Sequence, residues 1–108
     1  MIINQQYLLA QKPITNMVKQ KSKHIDPEGK ATSYGLSECG YDIRLRDDIW
    51  LYPGKRFVLA PAMEYFHMPS KLMGRVLNKS TWARMGVDVS RSTNIEPGWR
   101  GYLTLEIT

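Results

Sequence analysis

Seven consecutive residues, Asn78-Lys79-Ser80-Thr81-Trp82-Ala83-Arg84, place a lysine and two hydroxyls beside the predicted start of a short helix. Ser80 is expected as its N-cap and Gly86 as its left-handed stop, which leaves little more than one turn. Backbone N–H groups at such a start, with Lys79 alongside, favour a bound anion, most naturally a phosphate. Ser80 and Arg84 lie four apart on one predicted face, so Arg84 can reach the same ligand. Further on, Tyr102-Leu103-Thr104-Leu105-Glu106-Ile107-Thr108 alternates without a break. Leu103, Leu105 and Ile107 point one way, toward a predicted core, while Tyr102, Thr104 and Glu106 point the other. A phosphate cradle followed by a carboxylate on a strand is the chemistry of a nucleotide enzyme.

The elements that must hold these groups are short. Residues 1–18 are expected to form a short helix before Pro13. Residues 19–30, with four lysines, Pro27 and Gly29, read as a solvated loop, and 31–37 as turn-rich sequence around Gly35. Residues 39–46 alternate, with Tyr41, Ile43 and Leu45 on one face and Asp42, Arg44 and Arg46 on the other. Asp42 reads equally as a cap for the following turn and as a ligand contact. Further strands are expected at 49–52, 57–60, 72–77, 87–89 and 103–107, with turns at Pro53-Gly54 and Glu96-Pro97-Gly98 and breaks at Pro61 and Pro69. Short strands at close spacing, poor in helix, predict an all-β sandwich or barrel. No repeat, low-complexity segment or linker divides the 108 residues, which are expected to form a single domain, 1–108.

Composition narrows the class of protein. An apolar share of 43% argues against disorder. No apolar run approaches the roughly 20 residues of a membrane span, and the N-terminus has no signal-peptide pattern. The single Cys39 excludes an internal disulfide and fits a reducing, cytoplasmic setting. A net charge of +5 suits a polyanionic partner, whether nucleic acid or a nucleoside triphosphate. Nucleic acid is disfavoured, because aromatics are not interleaved on a basic face and no DNA-reading motif occurs. His24 and His67 read as structural or exposed, since neither a Cys nor a third His completes a metal site.

Three blocks in this order resemble the dCTP deaminases, which form one superfamily with the trimeric dUTPases. They are Ser33-Tyr34-Gly35-Leu36-Ser37 with Gly40-Tyr41-Asp42-Ile43-Arg44, then Lys79-Ser80-Thr81-Trp82-Ala83-Arg84, then Ile95-Glu96-Pro97-Gly98-Trp99-Arg100-Gly101 with Leu105-Glu106. The linking Glu64-Tyr65-Phe66-His67-Met68-Pro69 is also similar, so the resemblance covers residues 33–108. It implies a distorted β-barrel or jelly-roll-like dUTPase-type fold behind a short N-terminal helix, and a homotrimer with active sites between subunits. It also implies hydrolytic deamination of dCTP to dUTP and ammonia, with Mg2+ carried by the triphosphate. The catalytic glutamate of that pattern falls on Glu106, and the groups that grip phosphate and place the water fall on Lys79, Ser80, Thr81 and Arg84. Trp82 and Ala83 belong to the same block. The acidic residue near the deoxyribose falls on Glu96, the base-facing strand on Thr104 and Leu105, and Trp99 reads equally as core and as a wall beside the sugar.

The chemistry agrees with these assignments. Water attacking C4 of cytosine needs a base for its proton and then an acid for N3 and the leaving amine. One carboxylate can act in both roles, contributing roughly 10²–10⁴-fold. The zinc-type deaminase signature is absent, so the expected mechanism uses no zinc and no protein metal site. The sequence also departs from the pattern. Asn78 stands where glycine is common, Glu96 where aspartate is usual, and residues 90–94 match poorly. Family members continue past the glutamate strand into further strands and a covering segment, whereas this sequence stops two residues after Glu106, so the expectation is either a fragment or a naturally shortened relative. The alternatives to deamination are a dUTPase, a bifunctional enzyme making dUMP, or a nucleotide-binding relative without turnover.

Overall fold

A computed structural model describes residues 5–38, 40–50, 57–89 and 94–108. The organising pair is β4 (Val58–His67) against β7 (Arg100–Ile107), antiparallel, with Leu59 opposite Glu106 and Tyr65 opposite Tyr102. Both strands obey the period of two. On β4 the residues Ala60, Ala62, Glu64 and Phe66 are buried, and on β7 so are Leu105 and Ile107. Pro61 does not end the strand as its type predicts. The register shifts between Pro61 and Tyr65, and the Pro61 carbonyl still accepts from the Arg46 N–H, so the irregularity absorbs the missing donor.

Before this pair come α1 (Gln5–Gln11), β1 (Ser22–Ile25), β2 (Ala31–Leu36) and β3 (Tyr41–Asp42), the strands forming one antiparallel sheet in that order. The lysine-rich stretch is therefore half of a hairpin and not a loop. Its turn is built by Asp26, whose Oδ1 accepts from the N–H groups of Glu28 and Lys30, and by Gly29 at φ 85°. Residues 31–36 are likewise strand. Gly35, at φ 94°, lets β2 pass the preceding chain, where a Cβ would sit 2.6 Å from the Gln20 carbonyl oxygen.

Between β4 and β7 lie β5 (Gly74–Arg75), α2 (Ser80–Ala83) and β6 (Asn94–Ile95), with β5 and β6 paired. The expected strand 72–77 shrinks to these two residues of β5. Residues 87–89 carry no assigned strand, but Asp88 exchanges both backbone hydrogen bonds with Thr108 at 2.9 Å. Ile49 and Trp50 are not strand, while 51–54 lie outside the described residues.

The core has two clusters. One joins Ile14, Phe66, Met68, Leu72 and Ile95, and the other Ala60, Leu105 and Ile107, with Ile43, Val76 and Leu103 touching both. The fold is mainly β with a short N-terminal helix, and among the described residues its three sheets do not close into a barrel. No helix there is long and apolar enough to cross a membrane.

Candidate active site

The loop before α2 is held by its lysine and not by its serine. Lys79 is the N-cap, extended at φ −77° and ψ 130°, and its carbonyl accepts from the N–H groups of Trp82 and Ala83. Ser80 is already the first helical residue and makes no cap, because the non-helical position that a cap requires is occupied one residue earlier. Among the described residues, the N–H groups of Ser80 and Thr81 have no protein acceptor. Gly86, at φ 85°, ends the turn as expected.

The Lys79 ammonium reaches Asp42 Oδ2 at 2.7 Å and Ser33 Oγ at 2.9 Å, and Ser33 donates to the same carboxylate at 3.3 Å. This joins the first and second blocks of the sequence and assigns Asp42 to the lysine rather than to a cap. Both ions keep part of their water, the side chains being 27% and 31% exposed. A phosphate arriving here would meet an ammonium already oriented, one donor of which is held by a carboxylate it can displace or share.

The remaining predicted residues lie on α2, in the turn at 96–99 and on β7. Arg84 stands exposed at the end of α2 and forms no ion pair with a described residue. Trp82 carries the Lys30 ammonium 5.4 Å from its ring centroid, and that ammonium also meets Met85 Sδ at 3.1 Å, so the β1–β2 turn lies against α2. Thr81 is half-buried and Ala83 exposed. Glu96 is exposed, its carbonyl accepting from the Trp99 N–H. Trp99 sits against Phe66 in the first cluster, ring centroids 6.4 Å apart, and Gly101 leaves room for its indole. Thr104 is exposed opposite Pro61, Leu105 is turned into the core, and Glu106 is half-buried on the polar face of β7.

Sequence reasoning missed a second charged centre. Glu64, fully buried, accepts from Arg44 Nε at 2.8 Å, from the Arg44 N–H at 2.7 Å and from the Tyr41 hydroxyl at 3.4 Å. Burial pushes the Tyr41 hydroxyl above its ordinary value, an effect opposed by its bond from the Val18 N–H. For Arg44, burial works against the charge, but the hydrogen bond to Glu64 and its charge outweigh it and raise the guanidinium further. The signal was present: Glu64 falls in phase with Ala60, Ala62 and Phe66.

Residues 46–108 match the profile of the dCTP deaminase-like family. The chain belongs to that family. The dCTP deaminase of Herpetosiphon aurantiacus is 34% identical over 108 residues, covering 74% of this chain and 58% of the relative. That of Ehrlichia canis is 36% identical over 104 residues, covering 70% and 55%, and that of Coxiella burnetii (strain Dugway) is 34% identical over 110 residues, covering 76% and 58%. The chain thus spans little more than half the length of the curated relatives it matches. The profile of the dCTP deaminase-like family begins after Ser33 and Asp42, so the lysine it includes is held by residues outside it.

Proposed function

We propose that this chain carries the triphosphate grip and the proton-transfer carboxylate of a dCTP deaminase, a cytoplasmic enzyme supplying dUTP. The observation that supports this most is the Lys79 ammonium, fixed by Asp42 and Ser33 beside the N–H groups of Ser80 and Thr81, which meet no acceptor among the described residues. Such a cluster suits the anionic tail of a nucleotide. Glu106, on the polar face of β7, then takes a proton from the water adding to C4 of the base. It passes that proton to N3 and then a second, from the new C4 hydroxyl, to the amine as the C4–N4 bond breaks, so that water and dCTP leave as dUTP and ammonia. The Ser80 hydroxyl is suited to orient the water, and Arg84, free of described ion partners, to meet the phosphates.

Mg2+ fits this arrangement as a passenger of the triphosphate. Among the described residues no three His, Cys, Asp or Glu side chains gather into a cage, and the carboxylate at the lysine is already shared with it. When bound, the ion supplies neutralisation of phosphate charge that Lys79 alone cannot. We further propose a homotrimer, with Glu106 of one subunit facing the loop of the next.

The test is ammonia release from dCTP, measured beside the mass on a sizing column. Glu106→Gln is expected to lower release by roughly 10²–10⁴-fold while dCTP affinity stays within about tenfold, since only proton transfer is removed. Loss of both together would make the residue structural and overturn its role. Pyrophosphate without ammonia would redirect the reading to a dUTPase.

A further inference from the structure

The β1–β2 hairpin touches the phosphate loop and α2 at two places. At one, Ser33 on β2 accepts from the Lys79 ammonium at 2.9 Å. At the other, the ammonium of Lys30, which closes the hairpin turn, lies 5.4 Å from the centroid of the Trp82 ring and 3.1 Å from Met85 Sδ. The segment from Lys79 to Met85 therefore runs along β2 in the opposite sense, its start at Ser33 and its end at the turn. Both contacts are made within one chain, so they hold whatever the number of subunits. We propose that Lys30 is a positioning residue that clamps α2 onto the hairpin and so presents Lys79, Ser80 and Thr81 to the triphosphate.

The turn prepares this lysine. Asp26 Oδ1 accepts from the Lys30 N–H at 2.8 Å, and the Asp26 N–H donates to the Lys30 carbonyl at 3.0 Å, so the backbone is fixed before the side chain leaves it. Asp26 and Glu28 stand within four residues, yet among the described residues Lys30 forms no ion pair. Its charge goes to an indole face and a thioether instead. A clamp closed on a carboxylate would set a negative charge near the triphosphate, and one closed on a ring does not. A helix of four residues does not hold itself, so its placement falls to contacts of this kind. The inference rests on the proposed role of Lys79, so its test has one reading that needs no ligand.

Amide hydrogen exchange on the unliganded chain is followed at Ala83 and Arg84, whose N–H groups donate to the Lys79 and Ser80 carbonyls. It is compared with dCTP affinity from calorimetry for the parent, Lys30→Met, Lys30→Arg and Lys19→Met. Lys30→Met keeps an unbranched stem and removes the charge over the ring. Exchange is expected to quicken about fivefold and affinity to fall about threefold. Lys30→Arg, whose guanidinium also stacks on aromatic faces, is expected to keep both near the parent. Lys19→Met removes an equal charge at the far end of the hairpin, where the Val18 carbonyl accepts from the Leu36 N–H. At physiological salt, with a screening length of about 8 Å, it is expected to leave both unchanged. Unaltered exchange in Lys30→Met overturns the inference, as does an equal effect of Lys19→Met. So does a Lys30→Arg as impaired as Lys30→Met, or quickened exchange with undiminished affinity. A parent that binds no dCTP sinks the proposed triphosphate grip, and exchange at Ala83 and Arg84 still decides whether Lys30 clamps α2.

Discussion

Two ion pairs leave the same short segment, from Asp42 at the end of β3 and from Arg44 two residues on, and have opposite characters. Arg44 meets Glu64 at 2.8 Å and Asp42 meets Lys79 at 2.7 Å, so contact distance does not tell them apart. Their surroundings do. The Glu64 carboxylate is sealed from water and filled by donors from Arg44 and Tyr41, whereas Asp42 and Lys79 are each about a third exposed. A sealed charge has no alternative partner, so it is committed to joining β3, β4 and the chain around Val18. A half-exposed pair has surrendered less hydration and can trade one anion for another. The polar face of one short segment thus serves the fold through Arg44 and the ligand site through Asp42.

The largest test of that contrast is Glu64→Ala. Removing the sealed carboxylate leaves the Arg44 N–H, its partly exposed guanidinium and the Tyr41 hydroxyl without their acceptor, and a loss of about 2–3 kcal/mol in denaturant unfolding is expected. A loss as small as that of the exposed pair would erase the distinction. Next, Lys79→Ala is expected to weaken dCTP binding, measured by calorimetry, most strongly at low salt where screening is least. Its partner change, Asp42→Asn, is expected to cost about 1 kcal/mol or less in stability and to strengthen binding by freeing the lysine. Weaker binding in Asp42→Asn would mean that the carboxylate aims the ammonium rather than competing for it. The smallest effect concerns Tyr41. Because burial raises its hydroxyl above the usual 10.0, the contribution is fully present below that value and fades as pH rises through the folded one. Alkaline unfolding should therefore be less steep in Tyr41→Phe, and an identical pH profile would detach Tyr41 from the buried centre.

Local pattern carried much of this molecule. The alternation of residues 103–107 predicted β7 and its two faces, with Leu105 and Ile107 inward and Thr104 and Glu106 away from them. Gly86 ended α2 where its type required, and the short helix before Pro13 formed as α1. Other elements were illegible for stated reasons. The β1–β2 hairpin has polar side chains at most positions, so no alternation of burial marked it, and Asp26 closes a turn through bonds that composition does not reveal. Pro61 reads as a breaker only until the irregularity in β4 shows how the pairing accommodates it.

By itself the sequence determined periodicity, the glycine stops and membership of a family, because these depend on residues close along the chain or on motifs in order. Tertiary structure alone decided who faces whom. Lys79 finds Asp42 across 37 positions and Ser33 across 46, and Glu64 reaches Arg44 across 20. Partners so distant are set by the path of the backbone between them. Whether each charge stays wet or becomes sealed depends on what that path brings to cover it.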